Sequence, residues 1–192
     1  MKDFFVHESS YVDEGCKIGE GTKIWHFSHI MPDCKIGKNC NIGQNVVISS
    51  GVIIGDKVKI QNNVSVYTGV ECEEGVFLGP SCVFTNVINP RSLIEKKDEY
   101  KKTVLKKGAS VGANATIVCG NSIGKFALIG AGAVVTKNIG DYELVVGNPA
   151  RKIGYVCECG EKLEKSDANN EYSCNVCGKI YKLEDKTLKE KE

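Results

Sequence analysis

The residues of this 192-residue chain best suited to chemistry fall into three groups. His26 and His29 stand three apart. Imidazole titrates near neutral pH, so either could take a proton from a nucleophile. A single histidine is more often a structural hydrogen-bonder, and that reading stands beside the first. Arg91 offers a planar fork for a carboxylate or phosphate, although a solvated loop charge is the commoner role for one arginine. Cys157, Cys159, Cys174 and Cys177 form two close pairs, each followed by glycine. Four thiolates satisfy a tetrahedral ion with no open position, which is structural rather than catalytic metal chemistry.

The scaffold that must hold these groups is written in a six-residue step. An apolar residue recurs without a slip from Val6 through Val12, Ile18 and Ile24 to Leu78 and Phe84. The same step returns at Leu105, Val111, Ile117, Ile123, Ile129 and Val135. Four positions after each apolar residue comes a small or β-branched one, such as Thr22, Ser28, Cys34, Val46 or Val64. Strand alternation alone does not hold a period of six for so long. Each unit is one short strand and one turn, stacked into a β-helix.

Residues 85–104 break the step. The stretch from Phe84 to Leu105 is not a multiple of six and is rich in charge. It is read as a loop that leaves the helix and returns, and long loops in compact folds are often functional. Cys16, Cys34, Cys40, Cys72 and Cys82 occupy inward positions and are read as core residues. Cys119 falls at a turn and is ambiguous.

Net charge is +1, which gives no bulk signal for nucleic acid. No stretch has the apolar length of a membrane span, and the first residues lack a signal-peptide pattern. The expectation is a cytoplasmic protein without a nucleic-acid or membrane partner.

Ile18-Gly19, Ile36-Gly37, Ile42-Gly43, Ile54-Gly55 and Leu78-Gly79 resemble the hexapeptide repeat. That resemblance implies a left-handed prism with three strands per coil, so that positions 18 apart stack. Sorted this way, one face of the prism is the strip of residues 6–11, 24–29, 42–47, 60–65 and 78–83. Glu8 is its single charged residue, and it holds His7, His26 and His29. The strip is predicted to be buried in a homotrimer with active sites between subunits.

Several segments narrow the resemblance: Ile24-Trp25-His26-Phe27-Ser28-His29, Gln61-Asn62-Asn63-Val64, Thr85-Asn86-Val87-Ile88-Asn89-Pro90-Arg91 and Val146-Gly147-Asn148-Pro149-Ala150-Arg151. Residues 4–156 resemble the UDP-2-acetamido-3-amino-2,3-dideoxy-glucuronate N-acetyltransferases of bacterial surface-polysaccharide synthesis. The resemblance implies attack of a sugar amine on the thioester of acetyl-CoA. It places Asn86 beside the reacting amine, where an amide could orient the amine or stabilise the oxyanion but is too weak a base to take the proton. His26 and His29 remain base candidates, and departing CoA thiolate is the alternative. Asn45, Asn63 and Tyr67 could hydrogen-bond the UDP-sugar, with Arg91 on a uronate carboxylate. Asparagine at such corners also tolerates left-handed backbone on its own account. Small residues such as Ala131 would lie against the pantetheine arm, Lys137 and Arg151 would reach the CoA phosphates, and Gly112 and Asn148 join them as cofactor-binding candidates.

The tail resembles a zinc-ribbon knuckle pair, with C-x-C in place of the first C-x-x-C, which leaves iron open beside zinc. So short a tail needs a metal to fold and could cap the end of the prism; residues 183–192 are expected to fray. The full expectation is an all-β fold: a left-handed parallel β-helix over 1–156 with its excursion loop, and a metal-binding ribbon over 157–192. Weighed against the N-acetyltransferase are O-acetylation or another amino-sugar acceptor, a γ-carbonic-anhydrase-like hydratase, and a non-enzymatic scaffold. The three histidines are not spaced for the hydratase.

Overall fold

The computed structural model describes residues 3–166, 170–185 and 187–191. Three parallel sheets form the faces of a prism. Face 1 begins with Phe5–Val6, Lys23–Ile24 and Asn41–Ile42; face 2 with Tyr11–Val12, His29–Ile30 and Val47–Ile48; face 3 with Lys17–Ile18, Lys35–Ile36 and Ile53–Ile54. Lys23 pairs with Asn41 and Ile24 with Ile42, so stacked positions are 18 apart. The expected left-handed β-helix is the fold of the chain.

Most of the prism strands are two residues long. The first residue points outward and the second inward, which makes Ile24, Ile30, Ile42, Ile48 and Ile60 fully buried. The small residue two before each strand's inward one turns into the core at the corner. There a short polar side chain ties successive coils together. Thr22 Oγ1 donates to Gly37 O at 2.8 Å and accepts from the Cys40 N–H at 3.0 Å. Ser28 does the same with Gly43 O and the Val46 N–H, at 2.9 and 3.1 Å. Cys34 and Cys40 sit in this position and donate to Ser49 O and Gly55 O. Both are buried, as are Cys72, Cys82 and Cys119, whereas Cys16 is half-buried near the N-terminal end.

Because the outward residue precedes the inward one, the uncharged strip is not one face. Each of its six-residue windows spans a corner and the outward residue of the next strand. It comprises the edge between faces 1 and 2 together with the outer surface of face 2. That surface presents Tyr11, His29, Val47, Ser65 and Val83. Face 3 by contrast presents Lys17, Lys35 and Glu71.

The excursion replaces one corner between faces 2 and 3. Across it, paired residues are 33 rather than 18 apart, as with Phe77 and Ser110. The helix resumes with Thr103–Leu105, two residues before the expected return at Leu105, because Val70 already pairs with Thr103. After the last coil, Glu143–Val146 turns back into Arg151–Tyr155, an antiparallel pair that ends face 1. Ala150 in that turn is buried in the main core and donates its N–H to Val134 O at 2.8 Å. The turn thus helps to close this end of the prism, beside Tyr142 of the last coil, which packs against the tail core.

The tail forms its own four-stranded antiparallel sheet. Ile180–Glu184 and Thr187–Glu190 pair as its last hairpin, which corrects the expected fraying over residues 183–184 and 187–190; residues 186 and 192 of that stretch lie outside the described residues. Leu188 is buried there beside Tyr181 in a second, small core.

Candidate active site

The edge between faces 1 and 2 carries a ladder of corner residues. Asn45 and Asn63 both adopt left-handed backbone, with φ of 56° and 62°. Asparagine tolerates that conformation better than most residues, so the corner alone accounts for their type. Their exposed amides also face one another, and Asn45 Nδ2 donates to Asn63 Oδ1 at 3.0 Å. Lower on the same edge the rings of His7 and His26 pack against one another, with centroids 3.6 Å apart and planes tilted by 31°. Trp25 packs on Phe5 and donates its indole N–H to Asn41 Oδ1 at 2.8 Å. His26 sits in the corner turn, as expected. His29 points out from face 2, where its Nε2–H donates to Asp13 Oδ2 at 2.8 Å. The pairing with Asp13 was not anticipated, although the 18-residue stacking places residues 13 and 31 one above the other.

Higher on this edge lie Gly112, Ala131, Asn148 and, at the start of the return strand, Arg151. Gly112 has a packing reason to be glycine. A Cβ there would meet the backbone nitrogen of Ala131 at 2.5 Å. Asn148 and Arg151 are exposed, and the Arg151 guanidinium donates to Ala150 O at 3.1 Å.

The edge between faces 2 and 3 carries the remaining candidates. Tyr67 stacks one coil below Thr85, and Asn86 follows at the neck of the excursion. The Lys101 N–H donates to Asn86 O at 2.9 Å and pins the neck shut. Thr85 Oγ1 accepts from the N–H of Cys119 in the next coil at 2.9 Å. Asn86 is half-buried, and its side-chain amide makes no hydrogen bond among the described residues. Beyond the neck, the loop surrounds an open pocket of about 510 Å³ lined by Asn86, Arg91, Lys96 and Tyr100, among others. Arg91 donates to Pro90 O at 3.0 Å and has no carboxylate partner among the described residues. Leu93 at the loop tip is 97 % exposed, a feature that periodicity could not flag because the loop has none. Lys137 is exposed, two coils above Asn86 on this second edge, and is therefore apart from Gly112, Ala131 and Asn148.

Counted along the prism axis, the candidates fall in order. His26 is in the second coil, Asn45 in the third, Asn63 and Tyr67 in the fourth and Asn86 in the fifth. Gly112, Ala131 and the 147–151 turn follow in the sixth to eighth. Strand spacing of ~4.8 Å puts His26 and His29 about 14 Å below Asn86 along the axis. Within one chain the structure does not bring either histidine to Asn86. The two edges also lie on opposite sides of face 2.

In the tail, the four cysteine sulfurs lie within 4.8 Å of one another. Cys157 and Cys177 are 3.4 Å apart, and Cys159 and Cys174 3.5 Å. Backbone N–H groups of Cys177 and Val176 pull the Cys174 thiol down to about 6. Tyr181, fully buried, was missed by sequence reasoning. Its hydroxyl accepts from the Glu158 N–H and lies 3.2 Å from Cys157 Sγ.

Stacked two-residue strands at an 18-residue repeat define the class: a left-handed β-helix of hexapeptide repeats. Residues 15–50 match the bacterial transferase hexapeptide (six repeats). Residues 34–68 and 107–137 match the hexapeptide repeat of succinyl-transferase. These segments carry the repeat of the hexapeptide transferases, and the chain shares the fold of a hexapeptide-repeat protein.

Over 88 residues it is 53 % identical to dTDP-3-amino-3,6-dideoxy-alpha-D-galactopyranose 3-N-acetyltransferase of Aneurinibacillus thermoaerophilus, covering 46 % of this chain and 44 % of that one. Serine acetyltransferase 4 of Arabidopsis thaliana is 39 % identical over 70 residues, 36 % of this chain and 20 % of the relative. The chain thus spans less than half the length of these two relatives. A hexapeptide transferase family protein from Anaplasma phagocytophilum shares the fold at a TM-score of 0.56 and 23 % identity, covering 82 % of this chain and 87 % of that one. The acetyltransferase domain of PglB from Neisseria gonorrhoeae, solved with acetyl coenzyme A, does so at 0.54 and 19 %, covering 79 % and 58 %. Among the described residues no helix is long and apolar enough to cross a membrane.

Proposed function

We propose that the chain is an acetyl-CoA-dependent N-acetyltransferase acting on a nucleotide-linked 3-amino sugar. The observation that carries this reading is the 53 % identity over 88 residues to a sugar 3-N-acetyltransferase. The axial order of candidates agrees with it. Asn45, Asn63 and Tyr67 below Asn86 would hold the sugar nucleotide. Ala131, Asn148 and Arg151 above it would hold acetyl-CoA, and Gly112 would serve the packing of successive coils. Lys137, on the second edge, would reach the CoA phosphates only from a neighbouring subunit.

Both edges contribute to one site if three copies associate about an axis parallel to the prism. The first edge of one subunit then meets the loop of the next. The uncharged outer surface of face 2 and the bare Leu93 suit such burial. A rotation about that axis preserves height, so His26 and His29 stay about 14 Å below Asn86 in every subunit. They would contact the nucleotide end of the substrate, and the amine proton would leave with the CoA thiolate.

In the reaction, the unprotonated amine nitrogen bonds to the thioester carbon and the carbonyl oxygen becomes an oxyanion. The C–S bond then breaks, and the thiolate takes the proton from nitrogen. The free Asn86 amide can accept from the amine or donate to the oxyanion; no described contact of its own competes. A uronate would give Arg91 a carboxylate partner and make the sugar a UDP-linked 3-amino uronate of surface-polysaccharide synthesis in the cytoplasm. The 6-deoxy sugar named for the relative has no such carboxylate. Assaying 3-amino uronates against 3-amino-6-deoxy sugars, each with wild type and Arg91→Ala, separates the two. The uronate reading requires Arg91→Ala to raise KM for the uronate alone.

A further inference from the structure

We propose that Cys157, Cys159, Cys174 and Cys177 bind one zinc ion, and that this ion anchors the return strand Arg151–Tyr155 to a folded tail.

Four sulfurs held ~2.3 Å from zinc form a tetrahedron with edges of about 3.8 Å. The Cys157–Cys177 and Cys159–Cys174 separations of 3.4 and 3.5 Å are close to that edge, and all four sulfurs fall within 4.8 Å. Such a set converges on one centre.

The backbone is built for it twice over. In the first pair the Cys157 N–H donates to Glu161 O at 2.8 Å and the Gly160 N–H to Cys157 O at 2.9 Å. In the second the Cys174 N–H donates to Lys179 O at 2.9 Å and the Gly178 N–H to Cys174 O at 3.0 Å. The two knuckles are the same turn, with the first one residue shorter between its cysteines and one residue shorter in its closing bond. Gly160 and Gly178 hold matching positions after the second cysteine, with φ of 96° and 74°. A Cβ at either would meet nothing within 4 Å, so backbone conformation is what calls for glycine there. Tyr181 supplies a neighbour to the ligand set. Its oxygen accepts from the Glu158 N–H, which leaves its own hydrogen for Cys157 Sγ at 3.2 Å.

Among the described residues the tail core has six buried members, two of them cysteines. So small a core does not fold a sheet without a staple. What the ion fixes is not confined to the tail. Tyr155, at the end of the return strand, is buried in the tail core, and Arg151 at its start lies on the first edge. The Val156 N–H donates to Tyr142 O at 2.8 Å in the last coil, and Tyr142 packs on Tyr181 with centroids 5.3 Å apart.

The test uses the full chain, purified under reducing conditions. Elemental analysis is expected to give about one zinc per chain. Replacing zinc by cobalt(II) is expected to give the intense visible bands and thiolate charge-transfer absorption of a tetrahedral sulfur site. The double variant Cys159→Ser/Cys177→Ser alters two exposed cysteines and is expected to lose the metal while the prism keeps its cooperative thermal transition. Hydrogen exchange should then accelerate over residues 151–165 and 171–184 and stay slow over 24–84. Metal-free protein with two disulfides, iron in place of zinc, or metal retained by the double variant would each overturn the site. Unchanged exchange at 151–155 after metal removal would overturn the anchoring role.

Discussion

The backbone of Lys101 donates to the carbonyl oxygen of Asn86 at 2.9 Å, so both ends of the excursion meet on one corner of the prism. The bond uses the main chain of Asn86 and leaves its amide free. The corner is thus held by backbone, and the side chain is available for a ligand.

Removing that side chain should therefore harm turnover and spare the fold. Asn86→Ala is expected to lower kcat by about 10²- to 10³-fold, the usual effect of losing one oxyanion donor. KM for acetyl-CoA and the thermal midpoint should stay near wild type. Steady-state kinetics with a melting curve decide it: a large fall in stability with a small fall in kcat would make Asn86 a turn residue only.

His26→Asn and His29→Asn are expected to raise KM for the nucleotide sugar and to leave the pH dependence of kcat as in wild type. Their height below Asn86 is the reason. Disappearance of the acidic limb of the profile in either variant would identify that histidine as the base.

Gly112→Ala tests packing against cofactor contact at one position. The added methyl meets the Ala131 nitrogen of the next coil, and overpacking of this kind costs about 1–3 kcal/mol. A lowered thermal midpoint with unchanged KM for acetyl-CoA is expected. The reverse pattern, a raised KM at full stability, would place the pantetheine arm there instead.

The core thiols should be silent in the native protein. Burial pushes Cys34 from the ordinary 9.0 up to about 11 and Cys82 up to about 12. Thiolate is the reactive form, so neither should react with a thiol reagent near neutral pH until the chain unfolds. Because the folded values are raised, the stability these neutral thiols contribute is whole below about pH 9. It is lost as pH rises toward 11 and 12, where the unfolded chain ionises first. Rapid native labelling of Cys34 or Cys82, located by mass spectrometry, would contradict their burial.

The six-residue step made the prism legible because every coil repeats one backbone solution. A side chain such as Ile42 or Ser28 has its surroundings set by residues 18 positions away. The same step gave the inward cysteines and the corner position of His26. It did not show that the uncharged strip bends around an edge, because that depends on which residue of each two-residue strand points outward. Asp13 beside His29 could have been found by the stacking rule. The free amide of Asn86 and the bare Leu93 could not, since the excursion has no period. Tyr181 beside Cys157 lies equally beyond pattern, because the tail sheet is set by non-repeating contacts. The last hairpin, Ile180–Glu184 with Thr187–Glu190, was masked by its charge: among its described residues Tyr181 and Leu188 are buried and Leu183 packs partly buried against them.

The central claim is acetyl transfer to the amine of a nucleotide-linked 3-amino sugar. Its most direct test is to incubate the full chain with acetyl-CoA and a panel of UDP- and dTDP-linked amino sugars. Thiol release is followed, and the product is analysed by mass and by NMR. The account predicts stoichiometric release of CoA thiol, with one acetyl group on the 3-amino nitrogen. Thiol release only with hydroxyl acceptors, or none with any amino sugar from protein that is folded and trimeric, would contradict it.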